Sequence, residues 1–265
     1  MTPAATLIIP LLNQVDAWLD QAVRSALAQT VPCEVIVVIS ARTGQSNRET
    51  LTRLQRDFPG LSITQPPREG FAAGLNHGIQ SASTERVGLL LSDDWLEPAA
   101  VEESLRHCAD IVSTGRTLYA ADGITPLEPA PRILTKEAFD RLPDLERQAK
   151  WLGHFLLFQK RKVLEVGGLD ESLGDSPGID DYDLLWNLLE HGASVSIVEK
   201  SLYNYRDHAG DRLTTRRRED MIATMKRILA KHHVAGQRAE ELLAQHAKWF
   251  GRPMHEVMRD AAEVR

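Results

Sequence analysis

An α/β protein with a mixed, mainly parallel sheet flanked by helices, and a helical C-terminal extension, is the fold class that the sequence predicts. Three observations lead to it. Apolar runs without polar alternation, such as VGLLL from Val87 to Leu91, suit strands buried on both faces. In the N-terminal part these runs alternate with amphipathic stretches across short links, the pattern of a parallel sheet covered by helices. From Arg216 onward the pattern is helical and rich in charge.

Taken in order, Thr6 to Ile9 is a strand expected to stop at Pro10, and Asp16 to Ala28 is an amphipathic helix. Glu34 to Ile39 is a second buried strand, and Asn47 to Phe58 a helix closed by Pro-Gly. Leu61 to Thr64 reads as an edge strand, and Ala72 to Gln80 as a short helix. Its Gly70, Gly74 and Gly78 suit close packing on the sheet. After Val87 to Leu91, Pro98 suits the first turn of a following helix. Asp122 to Pro131 reads as a loop, Phe155 to Phe158 as a core strand, and Val166 to Gly178 as a glycine-rich acidic loop. Ile179 onward is a helix with Leu184, Leu185, Leu188 and Leu189 on one stripe, ending at Gly192. VSIV and LYNYR read as two short strands, and Met221, Met225, Ile228 and Leu229 share one face of a late helix.

With 265 residues, 43% hydrophobic and 26% charged, the chain has the balance of a soluble globular protein. A net charge of −6 argues against nucleic acid as a partner. No apolar run is long enough to span a bilayer, and the N-terminal residues do not resemble a signal peptide. Cys33 and Cys108 are too few for a disulfide framework or a zinc site and read as reduced thiols, so the expected location is cytoplasmic, including the inner face of a membrane.

The stretch LLLSDDWLEP places Asp93 and Asp94 in the loop at the carboxyl end of a parallel strand, where open α/β sheets bind ligands. Adjacent carboxylates there suit a hard divalent cation. The alternative is that one aspartate caps the next helix and the other faces water.

Four further stretches are TLIIPLLNQVDAWLDQAVRSALAQTVPCEVIVV, EGFAAGLNHGI, VGGLDESL with IDDYDLLWNLLEHG, and LYNYRDHAG. With LLLSDDWLEP, and in this order, they resemble the family 2 inverting glycosyltransferases of the GT-A fold. The resemblance runs to about Leu213, so residues 1–213 are expected to form a GT-A-like domain and 214–265 a helical extension, packed on that domain or on a partner.

The resemblance implies a nucleoside diphosphate sugar as donor, with Mn²⁺ or Mg²⁺, and a glycan or lipid-linked acceptor. It makes Asp94 a metal ligand, Asp93 a contact to the ribose or a metal-bound water, and His208 a group near the diphosphate or metal. Arg206 and Arg212 would screen the pyrophosphate or remain solvated charges. Asp181, just ahead of YDLLW, becomes the base that deprotonates the acceptor; Asp180 is the reserve, and Asp183 is expected to tie the loop. The three acids also suit a helix N-terminus without any catalytic role. Trp95 lines the sugar pocket or packs in the core. Pro10, Asn13 and Gln14 border the base and ribose, or Asn13 and Gln14 merely cap the first helix.

Departures from the family pattern fall on the donor side. VVISARTG puts Ile39, Ser40 and Arg42 where acids and small residues are usual, Leu75-Asn76 replaces Arg-Asn, and Leu91 replaces the first acid of D-S-D-D. Either Ser40, Arg42 and Asn76 read the nucleobase in another way, or the chain is a non-catalytic carbohydrate- or partner-binding protein on a degenerate scaffold. No G-x-G-x-x-G follows the first strand, which argues against a dinucleotide oxidoreductase. The C-terminal helices admit a peripheral membrane contact or a homodimer, with plain packing as the simpler expectation.

Overall fold

The computed structural model describes residues 2–128, 130–173, 179–208, 218–253 and 255–256. Leu7 and Ile9 of strand β1 (Ala5–Leu11) enter the core on one face of the sheet, and Ile8 enters it on the other. Successive strand side chains point to opposite faces, so a strand covered on both sides has no position for a polar residue to reach water. Helix α1 (Asp16–Leu27), β2 (Cys33–Ile39), α2 (Gln45–Asp57), β3 (Leu61–Thr64), α3 (Phe71–Ser81) and β4 (Arg86–Leu89) follow in alternation. The four strands pair in parallel in the order β3-β2-β1-β4, which leaves β3 at the edge as expected.

Two local readings gain a physical reason. Pro10 does not stop β1 but lies inside it, opposite Val38. Ile8 faces β4 and accepts from Leu90 N–H, whereas Leu11 faces β2 and accepts from Ser40 N–H. Pro10 therefore faces the side where β4 has ended, and no ladder bond is lost by its missing N–H. At Gly78 an added Cβ would lie 2.6 Å from Ile8 Cγ2, so glycine lets α3 settle against the sheet.

The second half runs β5 (Trp95–Leu96), α4 (Ala100–Leu105), β6 (Ile111–Tyr119), α5 (Lys136–Asp140), α6 (Leu145–Trp151), β7 (Leu156–Gln159), α7 (Lys160–Glu165), α8 (Asp180–Glu190) and β8 (Val195–Arg206). Among the described residues the strands complete an eight-stranded sheet, β3-β2-β1-β4-β7-β6-β8-β5. β7 is antiparallel to both β4 and β6, β6 and β8 are parallel, and β5 is antiparallel to β8, so the sheet is mixed. Three expectations are corrected here. β6 was not anticipated. The two short strands VSIV and LYNYR are one strand, β8, whose pairing with β6 slips at Gly115. The helix expected at Pro98 begins at Ala100, because β5 intervenes to pair Trp95 with Asn204 and Leu96 with Tyr203.

Helices α9 (Arg218–Lys231) and α10 (Gly236–His246) bury Met221, Met225, Ile228, Leu229 and Leu242 in the same cluster as Ile8, Ile36 and Leu185. Polar contacts reinforce that seat. Asp183 of α8 takes Lys231 Nζ at 2.6 Å and His232 Nε2 at 3.1 Å, and Trp186 stacks on the His232 ring at 4.1 Å. Asp183 thus ties a late helix to α8 through side chains, where the sequence suggested a backbone tie within the loop. Cys33 and Cys108 are both free thiols, and no helix among the described residues is long and apolar enough to cross a membrane.

The shared core makes one prediction. Met225→Ala should cost about 2–5 kcal/mol, as for other buried Met truncations, in one cooperative urea transition of the whole chain. Two separate transitions, or a shift too small to measure, would show that α9 unfolds on its own.

Candidate active site

The Asp93-Asp94 loop leaves β4 and enters β5, and the antiparallel pairing of β5 with β8 brings it beside the end of β8. Asp94 turns inward and is 1% exposed. Its Oδ2 accepts the Tyr203 hydroxyl at 2.6 Å and its Oδ1 the Arg206 backbone N–H at 2.7 Å. Asp93 turns the other way, and its Oδ2 lies 3.0 Å from Nε2 of the buried His208. His208 also packs on the Trp18 ring at 4.6 Å. Neither aspartate caps α4, so the capping alternative does not hold.

Arg206 is the largest of the fully buried side chains, at 1% exposure, and not a solvated charge. Its Nε donates to Asp93 O at 2.9 Å, Nη1 to Ala121 O at 2.8 Å and Nη2 to Gln21 Oε1 at 2.5 Å. The guanidinium lies between two indoles, 5.0 Å from the Trp18 ring and 4.9 Å from the Trp95 ring. Burial holds its pKa below the ordinary arginine value, against the opposing pull of Asp94, Asp93 and Asp122. Gly123, at φ +68°, lies so close that a Cβ would come within 2.5 Å of Nη1, so the 120s turn must carry glycine there. Trp95 therefore packs on Arg206 and on Tyr119, at 5.0 Å. Arg212 lies outside the described residues.

Asp181 stands in the first turn of α8, its side chain one third exposed, with Oδ2 3.2 Å from His154 Nε2. His154 stacks on Tyr203 at 5.2 Å. Tyr203 therefore touches both acid sites, Asp94 through its hydroxyl and His154 through its ring. Burial and then the Asp94 charge push the Tyr203 phenol far above its ordinary pKa, so it acts as a donor to that carboxylate.

At the carboxyl ends of β1 and β2, Asn13 Oδ1 accepts Gly44 N–H at 2.7 Å, and Gln14 is held by Asn47. Ser40 Oγ donates to Glu69, which also accepts Ala41 N–H at 2.9 Å and sits 4.0 Å from Arg42 Nε. The Ser40 hydrogen bond holds the Glu69 carboxyl below its usual range. Asn76 is used differently from the expectation. Its Nδ2 donates to Leu169 O and Glu171 Oε1 and its Oδ1 accepts Leu169 N–H, so both amide protons anchor the loop after α7 instead of facing a base.

Residues 6–159, more than half of the chain, match the family model for glycosyl transferase family 2. The chain belongs to that family. It is 27% identical over 219 residues to the succinoglycan biosynthesis protein ExoU of Rhizobium meliloti, covering 77% of this chain and 63% of that protein. Over 212 residues it is 26% identical to the chondroitin synthase of Pasteurella multocida, covering 76% of this chain and 20% of that protein. The chain spans between 16% and 63% of the length of the curated relatives it matches. The mannosyltransferase PcManGT from Pyrobaculum calidifontis, in complex with GDP-Man and Mn²⁺, aligns with a TM-score of 0.65 at 17% identity, covering 100% of this chain and 76% of that one. S. aureus TarS 1-349 in complex with UDP-GlcNAc aligns at 0.63 with 16% identity, over 93% of this chain and 70% of that one. These likenesses establish the GT-A-like fold.

Within this family 2 domain, three residues that sequence reading did not single out shape the site. His154 precedes an apolar strand and carries no local signal. Glu69 was visible only as the first letter of EGFAAGLNHGI, and the acid it places at the end of β2 comes from another loop. Tyr203 reads from sequence as an ordinary strand aromatic.

Tyr203→Phe should cost about 1–3 kcal/mol, because it leaves a buried carboxylate oxygen of Asp94 without its donor. Arg206→Lys should cost more, since an ammonium cannot reproduce the fork or the double stacking. Both effects are read from urea unfolding, and an unchanged midpoint for either variant would contradict the assigned contacts.

Proposed function

We propose that this chain is a metal-dependent inverting glycosyltransferase, moving a sugar from a nucleoside diphosphate sugar to a glycan or lipid-linked acceptor. The observation that carries this reading is Tyr203, which contacts the buried acid of one site and the histidine partner of the other. A carboxylate for the leaving group and one for the attacking hydroxyl would thereby be linked through a single tyrosine.

The residues present fit a divalent ion that is shared with substrate. Asp93 Oδ2 and His208 Nε2 face each other at 3.0 Å, while both oxygens of Asp94 already accept protein donors. Asp93 and His208 would hold Mn²⁺ or Mg²⁺, and Asp94 would join them as a ligand. Among the described residues no group of three His, Cys, Asp or Glu side chains forms a complete site, so diphosphate oxygens and water would fill the remaining positions. Bound there, the ion supplies charge neutralisation for the departing diphosphate. Arg206 holds Asp93 in place through its main-chain oxygen and its own backbone N–H holds Asp94. Asp181 takes the proton from the acceptor hydroxyl. His154 keeps one oxygen of that carboxylate oriented, and Tyr182 N–H holds the other at 2.9 Å.

On the donor side Asn13, Ser40, Arg42 and Glu69 form the end that meets the nucleobase, with Pro10 in the last part of β1 beside them. Glu69 supplies the acid that VISARTG lacks. The UDP-GlcNAc and GDP-Man complexes of the two structural neighbours support a nucleotide sugar, and the Mn²⁺ in one of them supports the ion.

Calorimetry tests the donor half. A nucleoside diphosphate should bind with Mn²⁺ and lose that binding when EDTA removes the metal, or in Asp93→Asn and His208→Ala. Heat from none of UDP, GDP, dTDP and CDP would favour a non-catalytic scaffold.

For the acceptor half, Asp181→Asn should retain nucleotide binding while transfer falls by about 10²–10⁴-fold, the usual contribution of a general base. Normal turnover of that variant would remove Asp181 from the role.

A further inference from the structure

The C-terminal segment beyond α10 reaches the strand end that carries the site. Ala247 and Phe250 are buried in the same cluster as Leu242 of α10, which anchors the chain there. Five residues after Phe250, His255 meets Asp207, the residue between Arg206 and His208. Its backbone N–H donates to Asp207 Oδ2 at 2.9 Å, and its ring Nδ1–H donates to the same oxygen.

Asp207 stands where β8 leaves the sheet. The β6–β8 ladder ends with Tyr119 opposite Arg206, and Asp207 N–H then donates to Tyr119 O at 2.8 Å. Arg206 and His208 both pack on the Trp18 ring, the guanidinium at 5.0 Å and the imidazole at 4.6 Å. Alternate residues of an extended chain share a face, so Asp207 projects to the opposite side, where His255 meets it. The Asp207 side chain is fully buried, while that of His255 is 44% exposed.

What lies on either side of Asp207 gives these contacts a role. Arg206 Nε holds Asp93 O at 2.9 Å, and His208 Nε2 lies 3.0 Å from Asp93 Oδ2. A buried carboxylate left short of a donor is destabilised more than a neutral group, so Asp207 keeps to a position from which His255 is in reach. His208 follows one peptide unit later, about 3.8 Å along the chain, and inherits that position.

We infer that His255 is a positioning residue: by gripping Asp207 it sets His208 against Asp93, so that the C-terminal segment completes the donor site of its own chain. The donor role rests on the assignment of Asp93 and His208 proposed above, whereas the hold of His255 on the His208 ring does not.

The test uses the full chain in EDTA, where no metal reaches the site. The Trp18 ring current displaces the His208 ring signals in proton–carbon NMR, and the spectrum of His208→Gln assigns them. Those signals should move in His255→Ala, which keeps the backbone donor and loses the ring donor. They should return towards the wild-type position in His255→Asn, whose side-chain amide donates in place of Nδ1–H. His232, stacked on the Trp186 ring at 4.1 Å, is the reference in the same spectra and should stay in place. Unchanged His208 signals in His255→Ala would overturn the inference, and so would an equal displacement of His232, the mark of general loosening. A displacement that His255→Asn does not reduce would also overturn it, since the bond to Asp207 would then not be its cause.

Mn²⁺ affinity in the presence of UDP or GDP, measured on the same variants without EDTA, reads the donor role separately. It should fall by about tenfold in His255→Ala, the lower end of the loss when a group supporting a metal ligand is removed. Full affinity in that variant, with His208 displaced, would separate His255 from the donor site and overturn its role there. No binding of nucleotide and Mn²⁺ by the wild type would instead remove the donor assignment of Asp93 and His208 and leave His255 as the support of the His208 ring.

Discussion

A buried guanidinium organises this molecule. Arg206 reaches the loop after β4, the turn after β6 and helix α1 with three different nitrogens, and two indoles cover its faces. A charge taken out of water is tolerated only when its hydrogen bonds are met in full, and those bonds are directional. Meeting them fixes the mutual placement of three segments that are far apart in the chain. The Asp93-Asp94 loop therefore has one position, with one carboxylate turned to Tyr203 and the other to His208.

The same logic extends to Asp181. Asp94 is satisfied by the Tyr203 hydroxyl, the Tyr203 ring supports His154, and His154 orients Asp181. Asp181 in turn rides on α8, whose seat depends on Asp183 bonding to Lys231 and His232. Polar contacts thus run from the end of β8 to the C-terminal helices, through a core of aliphatic and aromatic side chains. Packing alone would bring the helices together. The polar contacts decide which oxygen points where.

The parts of this arrangement that could be read from sequence were those with local causes. β1 to β4 and α1 to α3 follow from buried runs and amphipathic spacing, and the placement of Asp93 and Asp94 follows from a strand end. β6 escaped because IVSTGRTLY mixes apolar and polar residues and turns at a glycine, a pattern that suits neither template. β8 was divided because Glu199 and Lys200 interrupt its apolar run where the pairing slips. Arg206, His154 and Glu69 acquire their roles from partners tens of residues away, and nothing adjacent to them announces those partners. Asn76 shows the converse: a position prominent in a motif whose amide is occupied by a neighbouring loop.

The lateness of Lys231 and His232 in the chain has a consequence for assembly during synthesis. Strands β1 to β4 can pair as soon as they leave the ribosome, because their crossovers are short. Asp183 emerges well before Lys231 and His232, the partners that satisfy it, and an uncompensated carboxylate in an apolar seat is costly. Until residue 232 is free to fold back, α8 has reason to stay away from its final position. The ribosome would then release a chain whose sheet is formed, while the helix bearing Asp181 docks last.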